Sequence, residues 1–335
     1  MPQIFSKPFA PSMTIAACCL FGQPTLASNF SPKGIFNFTL ENDVFYGTDR
    51  NYTNGVKFIW IPENRDQPPV WASRIATLIP WFPQSGRLSH GYAFGQSLFT
   101  PDDIRKANPP LEEQPYAAWL YASIGLAAET NRRLDQVTLT AGMIGPAALG
   151  RETQTLVHQL IGSDTPRGWH TQLANETGFF ITSKRTWRKF LTYHHFGNSV
   201  DIAPYMGNAF GNVFTYANAG ITFRYGKSLP DDYGPPRLQP GRPNENDLSL
   251  SSLPGWYLYA GLEARAVLRN IFLDGNTFSD SRRVDKYPFV GDLQFGFVLD
   301  WQRYRLSYTH VLRSPEYRQQ QTHTNFGAVT LGIRF

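Results

Sequence analysis

The feature that most limits how this chain can fold is a series of segments in which apolar and polar side chains alternate. Alternation with a period of two residues places the two kinds of side chain on opposite faces of a β-strand. Turn-forming Asn, Asp, Gly and Pro separate the segments, as in a succession of antiparallel hairpins. Twelve segments follow this pattern: Ile35–Phe45, Thr53–Ile61, His90–Thr100, Tyr116–Glu129, Gln136–Ile144, Gly178–Trp187, Ser199–Met206, Thr215–Tyr225, Trp256–Leu268, Val290–Leu299, Arg303–Leu312 and Phe326–Phe335.

The segments suit a membrane-spanning barrel better than a soluble β-sandwich, which also alternates. Many are nine to eleven residues long, which fits a tilted crossing of a bilayer, and their number is even. Aromatic residues make up 15% of the chain and cluster near strand ends. No apolar run reaches the roughly 18 residues that a spanning helix needs. We therefore expect an all-β fold, an antiparallel transmembrane β-barrel of about 12 strands, forming one domain over residues 28–335.

Both ends of the chain carry signals of export. A short start with Lys7 is followed by a small, apolar stretch, and Thr25-Leu26-Ala27 offers a cleavage site. This pattern predicts a signal peptide over residues 1–27 that is removed, and both cysteines, Cys18 and Cys19, lie within it. The chain ends in alternation up to Phe335, which is typical of substrates of the barrel assembly machinery. The net charge of +5 is dispersed, so no nucleic-acid partner is expected.

One segment has the pattern of a helix. From Gly150 to Gly162, Leu156, Leu160 and Ile161 form an apolar stripe. Gly162 is placed to cap the carboxyl end. This short helix, inserted between strands, carries His158, and Asp164 follows shortly after its end.

The densest group of oxygen-bearing side chains lies in the first hairpin. Glu41, Asn42 and Asp43 end the first predicted strand, and Thr53 begins the second. Hard cations such as calcium bind six to eight oxygens of these types. The same residues would also serve as a hairpin tip whose side chains bond their own backbone. Residue types alone leave both interpretations open, and the chain has neither an HExxH zinc motif nor a G-x-S-x-G elbow.

Several short motifs, in this order and spacing, resemble the outer-membrane lipid A 3-O-deacylase family. The motifs are Glu41–Phe45, Gly47–Gly55, Gln96–Pro101, Gln114–Trp119, Gly142–Pro146, His158–Gly162, Trp169–Gln172 and Tyr287–Asp292. The resemblance covers nearly the whole mature chain. It implies a calcium-dependent barrel of twelve strands in the outer membrane of a Gram-negative bacterium. The implied activity is hydrolysis of the ester-linked acyl (acyloxyacyl) chain at the 3'-position of lipid A, with lipopolysaccharide as substrate and membrane lipid as surroundings.

The resemblance also implies roles for individual residues. His158 matches the general base, while Asn42 and Asp43 match a polar pair that serves both catalysis and the metal. Thr53 matches a further ligand of Ca2+. Asp164 stands where the family has a glutamate, so the expected carboxylate ligand is shorter by one methylene.

Further polar residues match positions around the substrate. Lys106 matches a basic residue that binds a lipid A phosphate or stabilises the oxyanion, with Arg105 beside it. Gln96 and Gln172 match secondary polar supports for substrate binding. We expect a monomer. Two other interpretations stay open at this point: a barrel without catalysis, such as a pore or structural protein, and an outer-membrane phospholipase using Ser, His and Asn.

Overall fold

The computed structural model describes residues 34–43, 51–63, 68–195, 197–227, 229, 254–320 and 322–335. The predicted signal peptide, with Cys18 and Cys19, lies outside the described residues, as do residues 44–50 of the first hairpin.

Strands dominate the described residues, and they run antiparallel throughout. The strands are β1 Gly34–Asn42, β2 Asn51–Pro62, β3 Arg87–Thr100, β4 Ala117–Thr130, β5 Arg133–Ile144, β6 Glu176–Trp187, β7 Leu191–His195, β8 Asn198–Gly211, β9 Phe214–Lys227, β10 Gly255–Asn270, β11 Phe289–Trp301, β12 Tyr304–Arg313 and β13 Thr324–Arg334. The helices are α1 Val70–Leu78, α2 Gly150–Ile161 and the single turn α3 Ile271–Asp274, with 3-10 turns at Pro146–Ala148 and Trp169–Thr171. None of the helices in the described part of the chain is long and apolar enough to cross a membrane.

The sheet closes on itself. Strand β1 pairs with both β2 and β13, and β6 pairs with both β5 and β8. Twelve strands therefore form a closed antiparallel barrel, as the alternation predicts. The short β7 pairs only with β8 and forms a hairpin beside the barrel. Five residues are too few to show a pattern of alternation, which is why the sequence does not predict this strand.

The predicted strands are all present, although most of their ends differ. Strand β8 extends to Gly211 instead of Met206, and β5 begins at Arg133 instead of Gln136. Ladder hydrogen bonds to both neighbours hold these extra residues extended, so the strands are longer than the clear alternation. Strand β1 stops at Asn42 and Asp43 forms a bend, whereas residues 44–45 of the predicted strand lie outside the described residues.

The two faces of the wall have the reverse polarity of a soluble protein. Along β10, Tyr257 and Glu263 are buried, whereas Leu258 and Leu262 are exposed. Ion pairs lie buried on the inner face, for example Arg224 Nε to Asp201, at 2.8 Å, and further pairs join Arg305 to Asp300 and Arg313 to Asp292. This arrangement suits a wall whose outer face contacts lipid.

The two ends of the barrel differ. Gly34 N donates to the Phe335 carbonyl at 3.1 Å, so the start of β1 and the last residue of the chain meet at one end of the barrel, here called the terminal end. At the opposite end, here called the site end, the lumen is filled by aromatic side chains that pack around α3, with Phe99 stacked on Phe272 at 3.9 Å. The cluster also includes Tyr52, Trp119, Phe180, Phe214 and Phe326.

Helix α2 lies on the outer face of the wall at the site end. Its first residue, Gly150, is in close contact with the wall, because a Cβ there would collide with Ala118 and with the Trp169 ring. The apolar stripe Leu156, Leu160 and Ile161 is exposed, whereas Gln154 and His158 are buried. Gly162 has the left-handed conformation, with φ of 72°, and caps the helix as predicted. The helix thus turns its polar side to the protein and its apolar side outward.

The filled lumen predicts that the protein does not conduct ions. Reconstituted into a planar bilayer, the barrel should show no stable open-channel current, because the aromatic cluster blocks the lumen at the site end. A general porin inserted in the same chamber is the control. A steady, voltage-independent conductance with folded protein would contradict this packing.

The contact between Gly150 and the wall predicts a local effect of adding one methyl group. Gly150→Ala should displace α2 at a cost of about 1–3 kcal/mol, as expected for overpacking, and trypsin should then cut faster after the exposed Arg151. The control is Gly291→Ala, where the nearest atom to an added Cβ is 3.9 Å away. Equal cleavage rates in the two variants would show that α2 does not depend on this contact.

Candidate active site

A cavity of about 310 Å³ lies between α2 and the outer face of the wall. Strand residues form one side of it, and α2 forms the other. Its lining residues are Asn42, Thr53, Asn54, Leu98, Thr153, Gln154, Val157, His158 and Ile161.

The strand side of the cavity is formed by the ends of β1 and β2. In β1, buried Glu41 alternates with half-buried Asn42, so Asn42 lies on the outer face. Asn42 pairs directly with Asn54 of β2. A bulge between Tyr52 and Asn54 inserts Thr53 as an extra residue. The Thr53 hydroxyl is 2.6 Å from that of Thr100.

This bulge is fixed from the lumen. The Tyr52 hydroxyl donates to the Glu41 carboxylate, and Lys57 Nζ lies 3.5 Å from the same carboxylate. Gly55 makes this contact possible, because a Cβ at that position would overlap the Tyr52 hydroxyl. Asp43 is 1% exposed, and its main-chain N donates to the Thr53 carbonyl at 3.4 Å. The groups that face α2 are therefore held by buried groups on the other side of the wall.

The helix side of the cavity presents an oriented histidine. His158 is 5% exposed, and its Nδ1 lies 2.5 Å from the main-chain carbonyl oxygen of Asp164. A carbonyl can only accept, so Nδ1 carries the hydrogen and Nε2 is the basic nitrogen. One turn earlier, the buried Gln154 accepts a hydrogen bond from Trp169 Nε1 at 2.8 Å. This bond ties α2 to the neighbouring 3-10 turn.

The structure brings together part of the predicted site. Asn42, Thr53 and His158 line one cavity, and Asp43 follows Asn42 directly. Asp164 does not line the cavity: the residue is exposed, and it is the main-chain carbonyl that contacts His158. The pKa of the Arg105 guanidinium is raised by its hydrogen bond to Asp103, and the Asp164 carboxylate adds to this effect.

The predicted substrate-binding residues lie around the cavity and do not line it. Lys106 is exposed, with its Nζ 3.8 Å from Glu113, a carboxyl whose pKa is raised by burial. Gln96 Nε2 donates to the Ala148 carbonyl at 2.6 Å and so supports the start of α2. Gln172 is half-buried at the end of the 3-10 turn that carries Trp169.

The donors present suit a hard cation. Asn42 and Thr53 offer amide and hydroxyl oxygens to the cavity, and the carboxylate of the buried Asp43, which follows Asn42 directly, lies outside its lining. Oxygen donors of this kind fit calcium better than zinc. Over the described ranges, no group of three or more His, Cys, Asp or Glu side chains is placed to hold a metal. A cation here would therefore depend on neutral oxygens beside a single carboxylate.

Sequence reasoning missed some residues of the cavity. Gln154 precedes His158 by four residues, which places both on one face of a helix, and this spacing could have identified it. Asn54 and Leu98 are adjacent only because β2 and β3 pair in this register. Both fall within the motifs Gly47–Gly55 and Gln96–Pro101, but nothing in these motifs indicates that the two residues line one cavity.

Comparisons with known proteins agree with this architecture. A family model described as outer membrane protein LpxR matches residues 14–335. The solved structure of LpxR from Salmonella typhimurium is 19% identical, with a TM-score of 0.73, and the alignment covers 90% of this chain and 100% of that chain. No curated protein sequence matches the chain.

Two further barrels are more distant. The β-domain of the Bordetella autotransporter BrkA is 9% identical with a TM-score of 0.43, covering 91% of this chain and 100% of that one. A TodX mutant monoaromatic hydrocarbon channel is 10% identical with a TM-score of 0.41, covering 91% of each chain. Because the family match spans nearly the whole chain and the barrel has the same closed form as LpxR, this chain belongs to the LpxR family of outer-membrane proteins of Gram-negative bacteria.

Proposed function

We propose that this protein is a lipid A deacylase, a carboxylic ester hydrolase that removes the 3'-O-linked acyl (acyloxyacyl) chain of lipid A. The observation that carries the proposal is the buried His158, whose ring is oriented by a main-chain carbonyl and lines the same cavity as Asn42 and Thr53. A basic nitrogen and polar oxygens beside one small cavity suit attack on an ester carbonyl.

The position of the cavity favours a lipid substrate. It lies on the outer face of the barrel, beside a helix with exposed Leu156, Leu160 and Ile161. An amphiphile in the outer leaflet can bring its ester to the cavity sideways, with its acyl chains against these apolar residues. Lipid A also carries phosphates, and the exposed Arg105 and Lys106 lie on the loop before β4 at the same end of the barrel. Guanidinium and ammonium groups bind phosphate well.

In the proposed reaction, water is the nucleophile. His158 Nε2 takes a proton from water while the oxygen attacks the ester carbonyl. The resulting tetrahedral oxyanion collapses, and the bond to the 3'-oxygen of the sugar breaks. The imidazolium returns its proton to this leaving oxygen, which gives a free fatty acid and a sugar hydroxyl. The main-chain carbonyl of Asp164 keeps Nδ1 as the donor, so Nε2 can act first as base and then, once protonated, as acid.

Calcium is part of this proposal. Asp43, Asn42 and Thr53 would hold the ion. When bound, it would supply positive charge beside the developing oxyanion. Asp164 would contribute through its main-chain oxygen and His158, since the residue is exposed and its contact with His158 is made by the main chain.

The other interpretations find less support. A pore would need an open lumen, and aromatic side chains fill it at the site end. A phospholipase would need a serine bonded to a histidine. Such a pair exists, His194 Nδ1 to Ser199 Oγ at 2.7 Å, but it lies exposed on the β7–β8 hairpin at the terminal end, away from the cavity. Nucleophilic catalysis also needs an oxyanion site that excludes water, and the exposed pair His194 and Ser199 does not meet this requirement.

The proposed base gives a first prediction. His158→Ala should lower deacylation by about 10²–10⁴-fold, measured by mass spectrometry of lipid A from cells that express the barrel. His170→Ala is the matched control, because His170 is exposed on a nearby turn and should retain activity. Heat-modifiable gel mobility verifies that each variant is folded.

The arms of this experiment separate the interpretations. Unchanged lipid A with folded wild-type protein would refute the deacylase proposal. If phospholipid hydrolysis appeared instead and were lost in His194→Ala, the phospholipase interpretation would replace it.

The cation gives a second prediction. A chelator should abolish activity and calcium should restore it, with half-saturation on the order of 10⁻⁴–10⁻³ M, since affinity falls as the number of charged ligands falls. Asp43→Asn should raise the calcium required by at least about tenfold. Asp164→Asn should leave the requirement close to that of the wild type, because its carbonyl is unchanged. An equal effect of both variants would show that the Asp164 carboxylate binds the ion.

A further inference from the structure

Helix α1 lies against the outer face of the barrel at the terminal end. Its buried residues, Ala72 and Ala76, pack with Phe82 against the strands β4 and β5. The wall residues in this contact are Leu126, Ala128 and Val137. They belong to the outer face, since they alternate with Ala127 and Gln136, which pair with each other on the inner face. The helix is therefore outside the barrel, on the surface that meets lipid.

Charged groups beside α1 indicate its level along the barrel wall. Asp135 on β5 is fully buried beside the helix segment and lies 2.6 Å from Arg185 and 2.6 Å from Arg133. Arg185 also donates to the Trp81 carbonyl at 3.5 Å. Farther from the terminal end on the same two strands, the outer face is apolar, with exposed Leu139. Helix α1 thus lies where the apolar surface of the wall gives way to charge, which is the level of lipid headgroups.

The side of α1 that faces away from the wall carries large apolar side chains beside Arg74 and Thr77. Val70, Ile75 and Leu78 of the helix are 67%, 43% and 78% exposed, and Trp81, three residues after its end, is 45% exposed. A group of large apolar side chains of this kind is unfavourable in water. Arg74 is exposed on the same helix, and a long arginine can reach headgroups while its stem stays apolar. Tryptophan is enriched at membrane interfaces because its ring is amphipathic.

We propose that α1 and Trp81 form an interfacial membrane anchor that binds the phospholipid leaflet at the terminal end. The apolar side of the helix continues the lipid-facing surface of β4 and β5, and Arg74, Arg133 and Arg185 place positive charge at headgroup depth. With lipid A as the substrate at the site end, this leaflet is the inner one; that assignment alone rests on the proposed function. The helix fixes how deep this part of the wall sits, and so the level of the cavity at the far end.

Spin labelling tests the anchor directly. The chain has two cysteines, both in the predicted signal peptide, so the mature barrel takes single labels cleanly. Leu78→Cys is the test position and Leu139→Cys the lipid-facing reference. Leu111→Cys, on the loop before β4, is the aqueous reference, with an exposure of 70% against 78% at Leu78. The labelled barrels are reconstituted in vesicles of phosphatidylethanolamine and phosphatidylglycerol, and collisions with oxygen and with a nickel chelate are compared.

The anchor predicts that the Leu78 label collides more often with oxygen than with the nickel chelate, by at least about threefold. The ratio of the two collision rates should be smaller than at Leu139, because the Leu78 label lies less deeply in the membrane. A Leu78 label as accessible to the nickel chelate as that at Leu111 would overturn the proposal. So would an immobile label reached by neither agent, because it would mean that protein covers this face. The result does not depend on activity, so it stands whether or not lipid A is the substrate, and the Leu139 label shows that the barrel is inserted.

Discussion

The pairing of β6 with β8 completes the ring of strands, and the rest of the structure depends on that closure. Lipid offers no partners to main-chain N–H and C=O groups, so a sheet can span a bilayer only when it has no free edge. Closure leaves β7 outside the ring, where it pairs only with β8. It also creates a lumen, which must be filled, and an outer wall, which can carry functional groups. Both consequences are visible at the site end.

Contacts inside the lumen hold the strand residues that present groups on the outer face of the wall. Tyr52 and Glu41 bond inside the barrel, and this contact fixes the bulge that presents Thr53 to the cavity outside. A strand alternates by single residues, so neighbours along the chain can serve packing and chemistry at once. The Glu41, Asn42 and Asp43 sequence uses this property: Glu41 bonds within the lumen, while Asn42 lines the cavity.

The outer surface carries two helices at opposite ends of the barrel. Helix α2, at the site end, turns Gln154 and His158 toward the wall and leaves its leucines exposed. Helix α1, at the terminal end, uses small residues, Ala72 and Ala76, to pack closely on the wall. In a soluble protein the apolar side of an amphipathic helix packs on the protein, whereas on a lipid-facing wall it can point outward. The apolar side of α2 is exposed, so the stripe that predicts the helix does not identify its packing face.

The sequence by itself determined the strands, the barrel and the position of α2, because alternation and helical periodicity are local patterns. Its short motifs pointed to Asn42, Thr53 and His158, and the structure places these three residues around one cavity. It did not give α1, whose nine residues carry no clear stripe, or β7, which is too short. The tertiary structure alone decided which groups share the cavity. Strand register brought Asn54 to Leu98, and the chain beyond Gly162 turned the Asp164 carbonyl, instead of its carboxylate, toward His158. Register and main-chain direction depend on pairing between distant segments, and no local pattern of residues specifies them.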